Sequence, residues 1–195
     1  MNDKILPRRA ALRSLGALAA LAVLPAAATT APGDSVYRLG ATLSDQDGRA
    51  FELASLEGGP VLASMFYTSC DMVCPMIFES VQATLRALTA AQRASVRVLM
   101  VSFDPERDTQ AVLKKTALAH GCDGQWVLAR ADEATVRKVA AVLGIQYRRL
   151  ANGEFNHSST IALLDRQGRI AARTGKLGGA DPALVAAVRK AAVAA

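Results

Sequence analysis

Cysteine and histidine are scarce in this chain: three cysteines and two histidines among 195 residues. An odd, small cysteine number without a Cys-x-x-Cys pair excludes a disulfide-built scaffold. Aromatic residues make up only 5% of the sequence, yet residues of hydrophobic type make up 51%, so a core built on Ala, Leu and Val is affordable. No internal repeat is visible, and no segment is polar enough to read as disordered. Charge of one sign is also lacking in any block. Of the formal net charge of +6, half falls on the first 28 residues; the remainder carries 19 basic and 16 acidic residues, which are scattered. That balance argues against nucleic acid as a partner.

The first 28 residues have the layout of an export signal. Lys4 to Arg13 is basic, Leu15 to Leu24 is an apolar run, and Pro25-Ala26-Ala27-Ala28 offers an Ala-x-Ala exit. Cleavage after Ala28 is expected. Arg8-Arg9 followed by Ala-Ala-Leu resembles a twin-arginine signal, with a plain secretory signal as the alternative. The apolar run is short against the about 20 residues of a membrane span, although an uncleaved anchor is the other reading. No cysteine lies near the exit, which argues against a lipoprotein. The expected address is the bacterial periplasm, where thiols meet oxidising conditions. Residues 29–39 read as a linker, and 40–195 as one domain.

Within that domain, strands alternate with helices. Ala41-Thr42-Leu43 and Arg49 to Leu53 flank Asp45-Gln46-Asp47-Gly48, a hairpin signal. Residues 61–67 and 96–103 are apolar strands, and 126–129 a third. Helices are expected after Cys74 to near Thr89, over about 109–120 with Asp108 or Thr109 as cap, from Asp132 to Leu143 with Gly144 after it, and from Asp181-Pro182 to about Val193. Tyr147 falls in a short extended stretch. Phe155 to Leu164 reads as one strand containing His157, returning through Asp165-Arg166-Gln167-Gly168 to Arg169–Thr174. The order predicts an α/β protein with a parallel sheet and an antiparallel edge.

The chemistry concentrates in Tyr67-Thr68-Ser69-Cys70-Asp71-Met72-Val73-Cys74-Pro75-Met76, between the first apolar strand and a helical pattern of Ile77, Val81, Leu85 and Leu88. A thiol at a helix N-terminus faces unpaired N–H groups and the positive end of the dipole, which favour the thiolate. A helix beginning at or before Cys70 would set both sulfurs on one face. A lone strand histidine is usually structural, but beside two thiolates His157 is also a candidate ligand. Soft thiolates select Cu(I), and an imidazole completes a three-coordinate set, whereas structural zinc would want a fourth ligand. His120 and Cys122 read as structural. Met72 and Met76 read as packing residues, with thioether contacts to copper as the alternative.

A CxxxC at the first strand-to-helix junction suggests a thioredoxin-like fold without the usual two-residue spacer. The chain further resembles the Sco (SenC-type) family of copper chaperones for cytochrome c oxidase assembly. Tyr67-Thr68-x-Cys70-x-x-x-Cys74-Pro75, Asp104-Pro105-Glu106-Arg107-Asp108-Thr109, and His157-Ser158-Ser159 followed by Leu163-Leu164-Asp165-x-x-Gly168 carry the resemblance. The phrase Asp45-Gln46-Asp47-Gly48 also fits, and the similarity runs over about residues 40–175. It departs at Ser69 and Asp71, where many relatives carry His and Pro. The resemblance implies a thioredoxin-like fold with an N-terminal hairpin, a periplasmic or tethered location, and one copper ion, Cu(I) or Cu(II), held by Cys70, Cys74 and His157. It implies as partner the copper-accepting subunit of the oxidase, with other periplasmic copper chaperones or thiol reductases beside it. A monomer is expected.

Three functions are therefore open. The first is copper delivery to the oxidase's dinuclear copper site. The second is a periplasmic thiol–disulfide oxidoreductase that uses the Cys70–Cys74 pair and has no need of His157. The third, a peroxidase-like thiol enzyme on the same fold, has no motif of its own here. The loop Asp104 to Thr109 is expected to shape the site or dock the partner, or else to cap the following helix.

Overall fold

The computed structural model describes residues 33–193; the export signal expected over 1–28 lies outside them. Residues 35–39, expected to be linker, are instead packed. Val36–Leu39 forms a 3-10 turn capped by Ser35, with Val36 and Tyr37 buried and the Tyr37 hydroxyl donating to the Leu56 carbonyl at 3.2 Å. Burial pushes the Tyr37 phenol up to about 12.

β1 (Thr42–Ser44) and β2 (Ala50–Glu52) pair as an antiparallel hairpin. Its turn needs a positive φ at Gly48, which is 80°, and Asp45 accepts from the Asp47 and Arg49 amides. The central sheet has five strands in the order β5-β4-β3-β8-β9: Trp126–Ala129, Arg97–Ser102, Val61–Phe66, Ile161–Leu164 and Ile170–Thr174. The first three are parallel; β8 runs antiparallel to β3, and β9 antiparallel to β8. All six residues of β3 are buried, as expected of a continuous apolar run in mid-sheet.

α1 (Val73–Arg86) joins β3 to β4, after a short α2 (Ala90–Ser95); α3 (Gln110–Ala119) joins β4 to β5. Both crossovers step the same way across the sheet, so a common right hand puts α1 and α3 on one face. There Phe78 of α1 stacks on His120 just after α3 at 4.0 Å, and on Trp126 of β5 at 5.8 Å. α5 (Pro182–Val193) packs against α1, β8 and β9, and α4 (Glu133–Leu143) against β3 and the Val36–Leu39 turn. This is an α/β, thioredoxin-like arrangement.

The helix limits follow their caps. Thr109, not Asp108, caps α3; Asp132 caps α4, which ends in a left-handed Gly144. α1 stops at Arg86 rather than near Thr89, because Thr89 and Gln92 form a capping box that opens α2.

One expected element divides. Phe155 to Leu164 is not a single strand: β7 (Phe155–His157) pairs with β6 (Tyr147–Arg149) in a separate two-stranded ribbon, and only β8 joins the sheet. The intervening Ser158–Thr160 is held otherwise. The Ser158 amide donates to the Gln146 carbonyl at 2.9 Å, and the Ser64 hydroxyl of β3 donates to the Thr160 carbonyl at 2.7 Å. Among the described residues no helix is long and apolar enough to cross a membrane.

Candidate metal centre

The cysteine turn leaves β3 at its C-terminal end, where the parallel strands of an α/β sheet present their loops. α1 begins at Val73, so Cys70 precedes the helix rather than lying on it. The turn nevertheless curls the Cys70 sulfur onto the helix start, where it accepts from the Cys74 amide at 3.4 Å. Met72 at the N-cap position supplies no side-chain cap; the sulfur takes that place.

The two thiols consequently differ. Burial raises the Cys70 pKa, but donation from the Cys74 amide and thiol and from the Met72 and Val73 amides outweighs it, so Cys70 sits below an ordinary thiol. Cys74 is 3% exposed. Burial, with hydrogen-bonding and repulsion from Cys70, drives it well above the ordinary value. Cys122 is half-buried and pushed up to about 12 by burial. It lies two residues from His120, whose ring stacks on Phe78, and neither joins a metal-ligand group among the described residues.

His157 reaches the thiols because the chain enters β8 at the sheet edge that carries the cysteine turn. β3 and β8 pair with Ala63 opposite Ala162. Beyond that ladder the Ser64 hydroxyl holds the Thr160 carbonyl, and the ribbon's end meets the cysteine turn, where Tyr67 lies 6.0 Å from the His157 ring. The ribbon is fixed there by an aromatic group: Tyr67 lies 5.1 Å from Phe155, Phe103 5.2 Å from Tyr147, and the His157 ring 4.9 Å from Phe103. The Tyr67 hydroxyl donates to Glu154 at 2.7 Å; burial first, then that bond, raises its pKa. His157 is half-buried, and burial lowers its pKa against the opposing effect of its contact with the Ser158 carbonyl. It is thus biased toward the neutral imidazole that binds metal.

One ligand atom each from Cys70, Cys74 and His157 lies within 4.8 Å of the others, the one such His/Cys/Asp/Glu group among the described residues. Bonds of about 2.0–2.3 Å, as for zinc to nitrogen and sulfur, hold ligand atoms up to about 4.6 Å apart. The donor set therefore fits one ion with little movement. Two sulfurs and one nitrogen, with no fourth His, Cys, Asp or Glu beside them among the described residues, suit Cu(I) better than structural zinc. Cys70 and His157 open into a cavity of about 310 Å³.

The Asp104–Thr109 loop binds both halves of this centre. The Asp108 carboxylate, 1% exposed, accepts from the Thr68 amide at 3.1 Å, from the Thr68 hydroxyl, and from the Ser102 hydroxyl at 2.5 Å. Burial raises its pKa, opposed by these bonds. Asp104 pairs with Arg107, whose guanidinium also donates to the Gly153 carbonyl in the ribbon's loop. Glu106 and Arg149 add an ion pair at 3.0 Å. Asp108 thus holds the cysteine turn, and Arg107 holds the histidine ribbon. Sequence reasoning placed this loop near the site but missed its bond to Thr68 and the bond between Tyr67 and Glu154, since nothing local marks a pairing across 40 or 87 residues. It also took Met76 for a packed residue, whereas Met72 and Met76 are 77% and 43% exposed.

Two outcomes are expected. In reduced protein near neutral pH, iodoacetamide should modify Cys70 first, with Cys74 and Cys122 lagging, as peptide mass mapping would read; equal labelling of the three would contradict the assignment. Asp108→Ala should cost about 2–4 kcal/mol in urea denaturation, because it strands up to three buried donors at about 1–3 kcal/mol each. Combined with Thr68→Ala, the losses should fall short of additive by about 1 kcal/mol or more; strict additivity would mean the two side chains act separately.

The SCO1/SenC family profile matches residues 37–192. Over 76 residues the chain is 36% identical to the SCO1 protein homolog of Bacillus subtilis, covering 39% of each protein. It is 26% identical over 133 residues to a SCO2-like protein of Rickettsia typhi, covering 65% of this chain and 64% of that one. The matches therefore span less than two thirds of either relative's length. Among solved structures, Bradyrhizobium japonicum ScoI with copper bound superposes with a TM-score of 0.62 at 28% identity, over 78% of this chain and 93% of that one. With a profile match running from the Val36–Leu39 turn to α5, the chain belongs to the SCO1/SenC family.

Proposed function

We propose that this protein is a copper chaperone: it takes up one copper ion through Cys70, Cys74 and His157 and passes it to the copper-accepting subunit of cytochrome c oxidase. The observation that carries the reading is the convergence of these three side chains, from two separate structural units, at single-ion spacing. The copper-bound ScoI relative supports it. Copper is cargo here. Loading releases the Cys74 proton, since only thiolates ligate. A Cys70–Cys74 disulfide removes both sulfur donors, so uptake requires the reduced chain. The export-signal layout read from residues 1–28 supports a periplasmic place of action for the domain of residues 40–195.

A second reading is favoured by one specific feature. A half-exposed Cys70 below the ordinary thiol pKa beside a buried, raised Cys74 is the asymmetry of an attacking and a resolving thiol. A thiol–disulfide oxidoreductase acting on the target's cysteines would use that pair. Its chemistry has no step for an imidazole.

His157→Ala separates the two. The variant should keep a reversible Cys70–Cys74 couple and lose copper retention by more than the about 10–100-fold typical of supporting residues around metal ligands. Cys122→Ser should load like the parent. Competition with a Cu(I) chelator reads retention, and oxidase activity in copper-limited cells reads delivery. Full oxidase support by His157→Ala, with none from Cys70→Ser, would favour the reductase.

A further inference from the structure

Five methionines occur in the sequence. Met65 and Met100, on β3 and β4, are 1% and 0% exposed and belong to the core. Met72 and Met76 are different: they are the large apolar side chains left most open near the cysteine turn, the other exposed ones being Leu118 and Val193 on α3 and α5. Met72 lines the cavity into which Cys70 and His157 open. Its backbone is in the helical region (φ −114°, ψ −64°), so the four-residue spacing puts Met76 on the same side, one turn along α1. Met72 gains little from burial, and Met76, although its methyl end lies beside Gly178, stays open enough to reach solvent.

We propose that Met72 and Met76 form an outer thioether station that receives Cu(I) and relays it to the Cys70–Cys74–His157 centre. The inference rests on the copper reading above. Thioethers are soft, uncharged donors selective for Cu(I). They bind the ion without losing a proton. An arriving ion meets exposed Met72, then half-exposed Cys70, and last the buried Cys74. In the relay a copper–thioether bond breaks as a copper–thiolate bond forms. The ion stays Cu(I), no electrons move, and the displaced thiol proton goes to solvent. Because the station lies off the final site, it changes uptake and release rates equally and leaves the dissociation constant alone.

The test is stopped-flow uptake by the reduced full chain from the Cu(I)–bicinchoninate complex, with parent and Met72→Leu/Met76→Leu proteins. Leucine keeps the volume and removes the sulfur, and the exposed positions pose no folding risk. The expected result is a variant slower by about 10-fold or more, the lower end of losses seen when support is removed from a metal site, with the same one-equivalent end point. Equal rates would overturn the relay while leaving the copper reading intact. A lowered end point in the variant would also overturn it, by making the methionines ligands of the final site. Failure of the parent to take up copper would remove the copper reading itself, and the relay with it.

Discussion

The Asp108 carboxylate is the contact on which the rest of the site depends. It is buried at the C-terminal edge of the sheet and takes three donors, from Thr68 beyond β3 and Ser102 at the end of β4. Ser102 in turn accepts the Asp104 amide at 3.0 Å. One hydroxyl thereby ties the Asp108 carboxylate to the backbone at the start of the loop. Asp108 is free for this role because Thr109 caps α3 in its place. A buried acceptor so fully engaged is costly to disturb, since each stranded donor loses water as well as its partner. The same loop extends Arg107 to the Gly153 carbonyl, so two pieces of chain about 90 residues apart in sequence are referenced to one anchor.

That common reference allows a division of labour at the centre. Cys70 sits in the turn between β3 and α1, and Cys74 in the first turn of α1. His157 belongs to a two-stranded ribbon outside the sheet, seated by the Tyr67, Phe103, Tyr147 and Phe155 rings. The imidazole is thus presented to the thiols from outside the five-stranded sheet. The helix start stabilises one thiolate, and burial holds the other as thiol. Metal binding, which requires both as thiolates, is therefore linked to release of a proton from the inner sulfur.

Local patterns made much of this fold legible from the residues. The Asp45–Gly48 turn, the Asp132 and Gly144 caps and the apolar run of β3 each announce their element. Thr89 and Gln92 also announced α2, through a capping-box spacing that was present to be read. The resemblance carried by the cysteine, Asp-Pro and His-Ser-Ser motifs indicated the three site residues. What sequence could not show was nonlocal. Phe155 to Leu164 looks continuous in hydropathy, yet hydrogen bonds from Ser158 to Gln146 and from Ser64 to Thr160 split it. The turn that folds the Cys70 sulfur back onto the helix start was likewise hidden, because it is set by the Thr68–Asp108 anchor and not by the CxxxC spacing.

The central claim is that one copper ion is shared by the cysteine turn and the histidine ribbon. X-ray absorption at the copper edge of the Cu(I)-loaded, reduced full chain measures this directly. The account predicts a first shell of two sulfurs and one nitrogen, with the nitrogen absent in His157→Ala. A sulfur-only shell in the parent, or an unchanged shell in the variant, would contradict it.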